Sequence, residues 1–192
     1  FSRVIDGEIC FHVKEAYNIY KLYQTRYDLH KQVYQHRATK EIEYMITDAL
    51  LAADNELKIS DAIQDAQSFC YLSDCILKEI ERSPNQNLKA SKDLLMRLRK
   101  RNLYKLVHEV VIPSDRELRL KEEEITKRCK LQPSDFIIQH LTINYAKGKE
   151  NPMHYIPFFD EHGKKVNVEK YQVSLLIPQQ FYESFIRIFV KN

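Results

Sequence analysis

Apolar residues follow two different rhythms along this chain, and the rhythm changes near residue 102. From Val13 to about His36, Tyr17, Tyr20, Leu22, Tyr23, Tyr27, Leu29, Val33 and Tyr34 spread over one broad face and predict a first long helix. Ile42, Met45, Ile46, Leu50 and Leu51 predict a second, from an N-cap at Thr39 to about Asn55, with Glu41 and Glu43 near its positive end. A third opens at Ser60, carries Ile63, Ala66, Phe69, Cys70, Leu72, Cys75, Ile76 and Ile80, and closes at the loop SPNQN, residues 83–87. The fourth, from Leu88 to Arg99, turns Leu94, Leu95 and Leu98 inward and ends in the basic run RLRKRN, where cations suit the negative helix end.

Beyond Asn102 the period shortens. LYKLVHEVVI, bounded by Pro113, DFIIQHLTINYA and FIRIFVK predict strands, and YIPFF with KKVNV flanks Asp160-Glu161-His162-Gly163 as a hairpin would. Tyr171 to Leu176 and Pro178 to Glu183 have helical character, the second opening with a proline in its first turn. Ahead of all these, residues 3–12 alternate around Asp6-Gly7, a dipeptide favoured in tight hairpins. The fold class expected is α+β: a mainly helical lobe over 1–102 with about four helices, then a smaller lobe over 103–192 with an antiparallel sheet.

Composition sharpens this picture in three places. Three glycines and six prolines in 192 residues favour long regular elements, while twelve tyrosines and nine phenylalanines supply large amphipathic surfaces. A net charge of +3, with both signs well mixed, excludes a general polyanion binder, so any phosphate site must be local. Cys10, Cys70, Cys75 and Cys129 lack C-x-x-C spacing and fit a reducing compartment. No apolar run approaches the roughly 20 residues a membrane helix needs.

Three groups of residues could carry chemistry. In TRYDLHKQVYQHR, residues 25–37, Arg26, His30 and Tyr34 recur every fourth position and stack along one helix side with Gln35 beside them. A bidentate guanidinium, an imidazole and a phenol together suit a nucleotide polyphosphate, as they equally suit the wet rim of an amphipathic helix. His36 and Arg37 face elsewhere; Lys14 and Asn18 lie about 20 residues before them, roughly 30 Å along a helix, so one small ligand joins the pairs only across a subunit interface. Arg101 and Lys105 flank a helix-to-strand transition. No H-E-x-x-H, glycine-rich phosphate loop or G-x-S-x-G elbow occurs.

At TRYDLHKQVYQHR the sequence resembles the SAM- and HD-domain-containing deoxynucleoside triphosphate triphosphohydrolase family. NIYKLYQTR, MITDAL, AIQDAQSF, KRNLYK, PSDFII, Asn151-Pro152 and QVSLLIP extend the likeness in order across nearly all residues, as in a diverged relative or paralogue. The resemblance implies the second half of a catalytic core whose HD centre, with its divalent metal (Zn, Mg, Fe or Mn), lies upstream of Phe1, so the chain alone is expected to be inactive. It further implies substrate contacts at Arg26, Tyr34 and Gln35, a pocket-lining His30, a GTP effector site at Arg101 and Lys105, and a dNTP effector site at Lys14, Asn18, His36 and Arg37. A tetramer, a nuclear location and a role in antiviral defence follow from the same resemblance.

Three departures from the family pattern bear on the dNTP effector site. His12 stands for an arginine, Arg37 for a lysine, and the hairpin near Glu161 offers Lys164 or Lys165 for an expected lysine. The family's glycine-rich insertion is also absent between Asn55 and Ser60. A non-catalytic reading competes with the enzymatic one: interleaved basic and aromatic residues between Tyr20 and Arg37 would suit a nucleotide-controlled oligomerisation module or a binder of single-stranded nucleic acid.

Overall fold

The computed structural model describes residues 1–113, 122–129 and 131–191. Strands β1 (Ser2–Ile5) and β2 (Glu8–His12) precede helix α1 (Ala16–Leu29), which runs into a π-helical turn at His30–Tyr34. Helices α2 (Arg37–Leu57), α3 (Ile59–Ala62), α4 (Ala66–Phe69), α5 (Ile76–Arg82) and α6 (Lys89–Arg99) follow, then β3 (Lys105–Ile112), α7 (Glu122–Cys129) and β4 (Phe136–Asn144). The remainder holds β5 (Phe158–Phe159), β6 (Lys165–Val166), α8 (Lys170–Val173) and β7 (Tyr182–Val190). The class is α+β, with most of the helix before residue 102.

Both hairpins anticipated from sequence form. Asp6 and Gly7 take φ of 53° and 79°, the two left-handed residues of a type I′ turn, and register Ser2 with Phe11 and Ile5 with Glu8. In the other, Asp160 Oδ1 accepts from the backbone N–H groups of His162 and Lys164, turning β5 back onto β6. The first sheet has the order β1-β2-β5-β6 with one parallel pair, Phe11 opposite Phe158; the second has the order β3-β7-β4.

The third predicted helix is corrected by the structure: residues 60–82 form three short pieces. Lys58 at φ 53° ends α2, Asp54 takes hydrogen bonds from both the N–H and the hydroxyl of Ser60, and Asp65 caps a new start by accepting from Ser68 N at 2.7 Å. Short polar side chains offer the backbone partners outside the helical ladder, which breaks one amphipathic run into several. Ser60 is therefore inside α3 rather than its cap, and Thr39 lies within the first turn of α2. The helix expected at Pro178–Glu183 is also corrected. Ile177 and Phe181 are buried in the core, and Tyr182 already begins β7. Helix α7, which sequence pattern left unassigned, sets glutamates at its start and Lys127 and Arg128 at its end, as the helix dipole favours.

The chain forms two compact units with interleaved sequence. The first gathers the described residues of 1–36, 109–120 and 139–187 around Ala16, Tyr20, Tyr145, Met153, Phe158, Ile177 and Phe181. The second gathers those of 37–108, 121–138 and 188–192. There α2 lies against α6 along small residues: Ala49 and Ala53 are fully buried beside Leu95, and Ser91 donates to the Ala49 carbonyl at 2.7 Å. Asp48 accepts from Tyr104 at 2.7 Å and Lys191 at 2.6 Å, and Arg97 donates to the Lys191 carbonyl. Burial and the Asp48 carboxylate push the Tyr104 phenol far above its ordinary range. Because the α2–α6 seam has no room for larger groups, Ala49→Leu should cost about 1–3 kcal/mol by overpacking and Leu95→Ala about 2–5 kcal/mol by opening a cavity, read as shifts in urea midpoint.

Candidate functional site

Helix α1 is held in the first unit by a stack of phenols. Tyr145 stacks on Tyr27 at 5.2 Å and on Tyr20 at 6.3 Å, while Phe181 meets it edge-on at 5.6 Å. Tyr27 donates to Glu183, and Lys31, one turn on, reaches the same carboxylate at 2.7 Å. These anchors define which side of the helix remains open.

Along that open side the regular helix gives way. Gln35 N donates to the His30 carbonyl at 2.8 Å, an i→i+5 bond that widens the last turn. Sequence spacing predicts a regular helix to about His36; the structure ends it at Leu29 and continues with the π turn, in which the His30 and Tyr34 ring centroids lie 5.4 Å apart. Arg26 spends one N–H on the Asn144 carbonyl at 2.8 Å, which orients its guanidinium while leaving other donors available. Tyr34 is 56% exposed and His30 half-buried, whereas the Gln35 Oε1 is buried without a donor. The four residues expected to act together therefore share one local element of the first unit.

The remaining expected residues fall in separate places. Lys14 is exposed in the 3-10 turn before α1, where its N–H donates to His12 Nδ1 at 3.1 Å, and Asn18 donates to Glu15 at 2.8 Å. The hydrogen bond to Nδ1 leaves Nε2 as the proton-bearing nitrogen of a neutral His12 ring, which packs edge-on against Phe159 at 5.2 Å. Of the two hairpin lysines, Lys165 is engaged by Glu8 at 2.8 Å and Asp6 at 3.3 Å. His36 closes the first unit and Arg37 opens α2 in the second.

Arg101 and Lys105 both belong to the second unit and are exposed. Asn102 N donates to the Arg97 carbonyl and Arg101 N to the Leu98 carbonyl, the two bonds of a Schellman motif, with Arg101 at the left-handed position, φ 57°. Glycine is the usual residue there. An arginine in that conformation is strained by roughly 1 kcal/mol.

Sequence pattern missed the groups that hold this element in place: Glu183, Glu109 and Arg187. All come from strands, where a charged residue amid Phe185, Ile186 and Phe189 was the only signal. Among the described residues no three His, Cys, Asp or Glu side chains group as metal donors. A cleft of about 440 Å³ in the second unit, lined by Leu57, Asp61, Tyr71 and Glu79 among others, contains none of the expected site residues.

Burial, first of all, raises the Tyr20, Tyr27 and Tyr145 phenols, with nearby negative groups adding to it, while Glu183 holds Lys31 above its usual value. A raised phenol favours the protonated form in the fold. Its stabilisation is complete below the unfolded value of 10.0 and is lost as pH climbs past it, because only the unfolded chain releases those protons. Alkaline titration at 295 nm should thus show Tyr20, Tyr27 and Tyr145 ionising only with unfolding; Tyr145→Phe should flatten that pH dependence.

No protein-family model matches the chain. Curated relatives do. The deoxynucleoside triphosphate triphosphohydrolase SAMHD1 homolog of Dictyostelium discoideum is 40% identical over 199 residues, covering 100% of this chain and 38% of that protein. Human SAMHD1, a protein of the same description, is 31% identical over 220 residues, covering 100% and 35%. An HD domain-containing protein of Acanthamoeba polyphaga mimivirus is 27% identical over 171 residues, covering 80% and 36%. The chain spans somewhat over a third of the length of the curated relatives it matches. Over its whole length the chain is a homologue of part of the proteins described as SAMHD1 deoxynucleoside triphosphate triphosphohydrolases.

Proposed function

We propose that this chain forms the substrate-lining and effector-binding part of a dNTP triphosphohydrolase, which releases triphosphate and a deoxynucleoside. The observation that carries the reading is the contact of His30 with Tyr34 on the helical segment that also holds Arg26 and Gln35, in a chain collinear with named dNTP triphosphohydrolases. Arg26, already fixed by Asn144, directs its free N–H groups to substrate phosphate. His30 serves the pocket beside the phosphates as donor or proton carrier. The exposed Tyr34 phenol lies against the sugar, where a 2′-hydroxyl would meet the ring, and Gln35, next in the chain, contacts the sugar or base.

Arg101 and Lys105 bind a GTP effector, and Lys14, Asn18, His36 and Arg37 a dNTP effector, with different subunits of a tetramer contributing to each. Support for Arg101 comes from its strained backbone, retained where glycine would be more comfortable. At the dNTP effector site His12 offers Nε2–H in place of a permanent cation, and Lys164 is the hairpin lysine with no ion-pair partner among the described residues, unlike Lys165. The loss of a permanent cation at His12 implies weaker phosphate attraction there, which the Lys164 ammonium would offset in part.

Two measurements test this reading in the full-length protein that carries the chain. Arg26→Ala should lower kcat/KM for dCTP by about 100-fold or more, as loss of a charge-assisted phosphate contact does, and absence of dNTP hydrolysis by the unaltered protein would sink the enzymatic proposal. Arg101→Gly should raise stability by roughly 1 kcal/mol while weakening GTP-dependent assembly, followed by thermal unfolding and sedimentation velocity. Assembly driven equally by tripolyphosphate or by single-stranded DNA would instead favour a general polyanion-binding module.

A further inference from the structure

Among the described residues Arg187 is the one buried charged side chain, 7% exposed in β7. Its Nε donates to Glu109 of β3, and its Nη1 donates to the carbonyl of Gln35 at 2.5 Å. Glu109 is itself partly exposed, so the pair is not a sealed ion pair. Burying a guanidinium is costly, and an apolar residue could fill the same volume without that cost. The charge is explained by what it holds.

Its partner is the last peptide of the widened turn. The N–H of Gln35 is tied to His30 and its C=O to Arg187, so this one residue is fixed at both ends. A carbonyl at a helix end lacks an intrahelical partner, and the guanidinium supplies it. Tyr145 N bonds to the Phe181 carbonyl and Thr142 pairs with Ser184, so the same antiparallel register places Gln139 of β4 opposite Arg187. The amide oxygens of Gln35 and Gln139 are both buried without donors. Arg187 is committed to the backbone carbonyl and Glu109, and the Gln35 side chain stays unpaired.

We propose that Arg187, steadied by Glu109, is a positioning residue for Tyr34 and Gln35: by gripping the Gln35 carbonyl it keeps the π turn in the register from which those side chains reach a deoxynucleotide sugar and base. This rests on the function proposed for the site above. It makes sugar selectivity depend on a strand residue that does not itself touch the ligand.

The test uses the full-length protein with Arg187→Met, Arg187→Lys and Glu109→Gln, and Tyr104→Phe in the second unit as a control for general destabilisation. Amide hydrogen exchange at Gln35 and the ratio of kcat/KM for dCTP over CTP, at constant GTP, are the readouts. Arg187→Met should speed Gln35 exchange and reduce the ratio about tenfold, chiefly through KM, since small displacements of positioning groups carry large rate penalties. Arg187→Lys should recover part of both, and Tyr104→Phe should move neither. Should Arg187→Met not fold, Glu109→Gln gives the same two readings. Unchanged Gln35 exchange, or faster exchange with intact selectivity in an active enzyme, overturns the proposal. If the unaltered protein hydrolyses no dNTP, the proposed function fails separately, and the dependence of Gln35 exchange on residue 187 still decides whether the turn is held this way.

Discussion

A helix that ends beside a sheet must find partners for its last carbonyls, and in the first unit that requirement is met by a buried arginine. Arg187 binds the Gln35 carbonyl while Glu183, four residues earlier on the same strand, holds Tyr27 and Lys31. Strand β7 thus grips the helical segment at two heights. Because the strand advances roughly 3.4 Å per residue and a helix about 1.5 Å, equal sequence intervals cover different lengths on the two elements. The grips therefore fix the crossing of helix and strand as well as their contact.

The π turn belongs to this arrangement. One extra residue in the last turn ties the Gln35 N–H to the His30 carbonyl while the Gln35 carbonyl meets Arg187. An uninterrupted α-helix would continue to advance each successive fourth residue around the cylinder. The chemical line of Arg26, His30, Tyr34 and Gln35 is consequently a product of tertiary anchoring as much as of sequence spacing.

That distinction decides what could be seen from sequence. The β1–β2 hairpin was legible because Asp6-Gly7 names its own turn, and α1, α2 and α6 were legible because each buries a continuous apolar face. The third helix was misjudged because Asp54, Asp65 and Ser73 divert backbone groups into local bonds that periodicity does not register. The pattern takes Phe181 into a helix because Pro178 suits a first turn, whereas residues 177–181 are not helical and bury Ile177 and Phe181 just ahead of β7. For the candidate site, residue types and spacing name Arg26, His30, Tyr34 and Gln35, which the structure sets on one continuous helical segment and its cap. Arg187 and Glu109 were invisible because their role exists only once distant strands have paired.

Local preference and structure disagree at several places, some near the proposed sites and some, such as Lys58, Ala146, Arg97 and Gln139, with no ligand role proposed. Arg101 keeps a left-handed backbone without being glycine, Gln35 keeps a buried acceptor without a donor, and Arg187 keeps a charge inside the core. Each is unfavourable alone. Asp6 at its turn is also left-handed yet needs no such account, because the hairpin itself favours that conformation. The buried charge of Arg187 is offset inside the protein by Glu109 and the Gln35 carbonyl. The left-handed Arg101 and the unpartnered Gln35 oxygen have no such offset, and because residues without a proposed ligand carry the same costs, strain by itself does not mark a site and the case rests on what the side chains can reach.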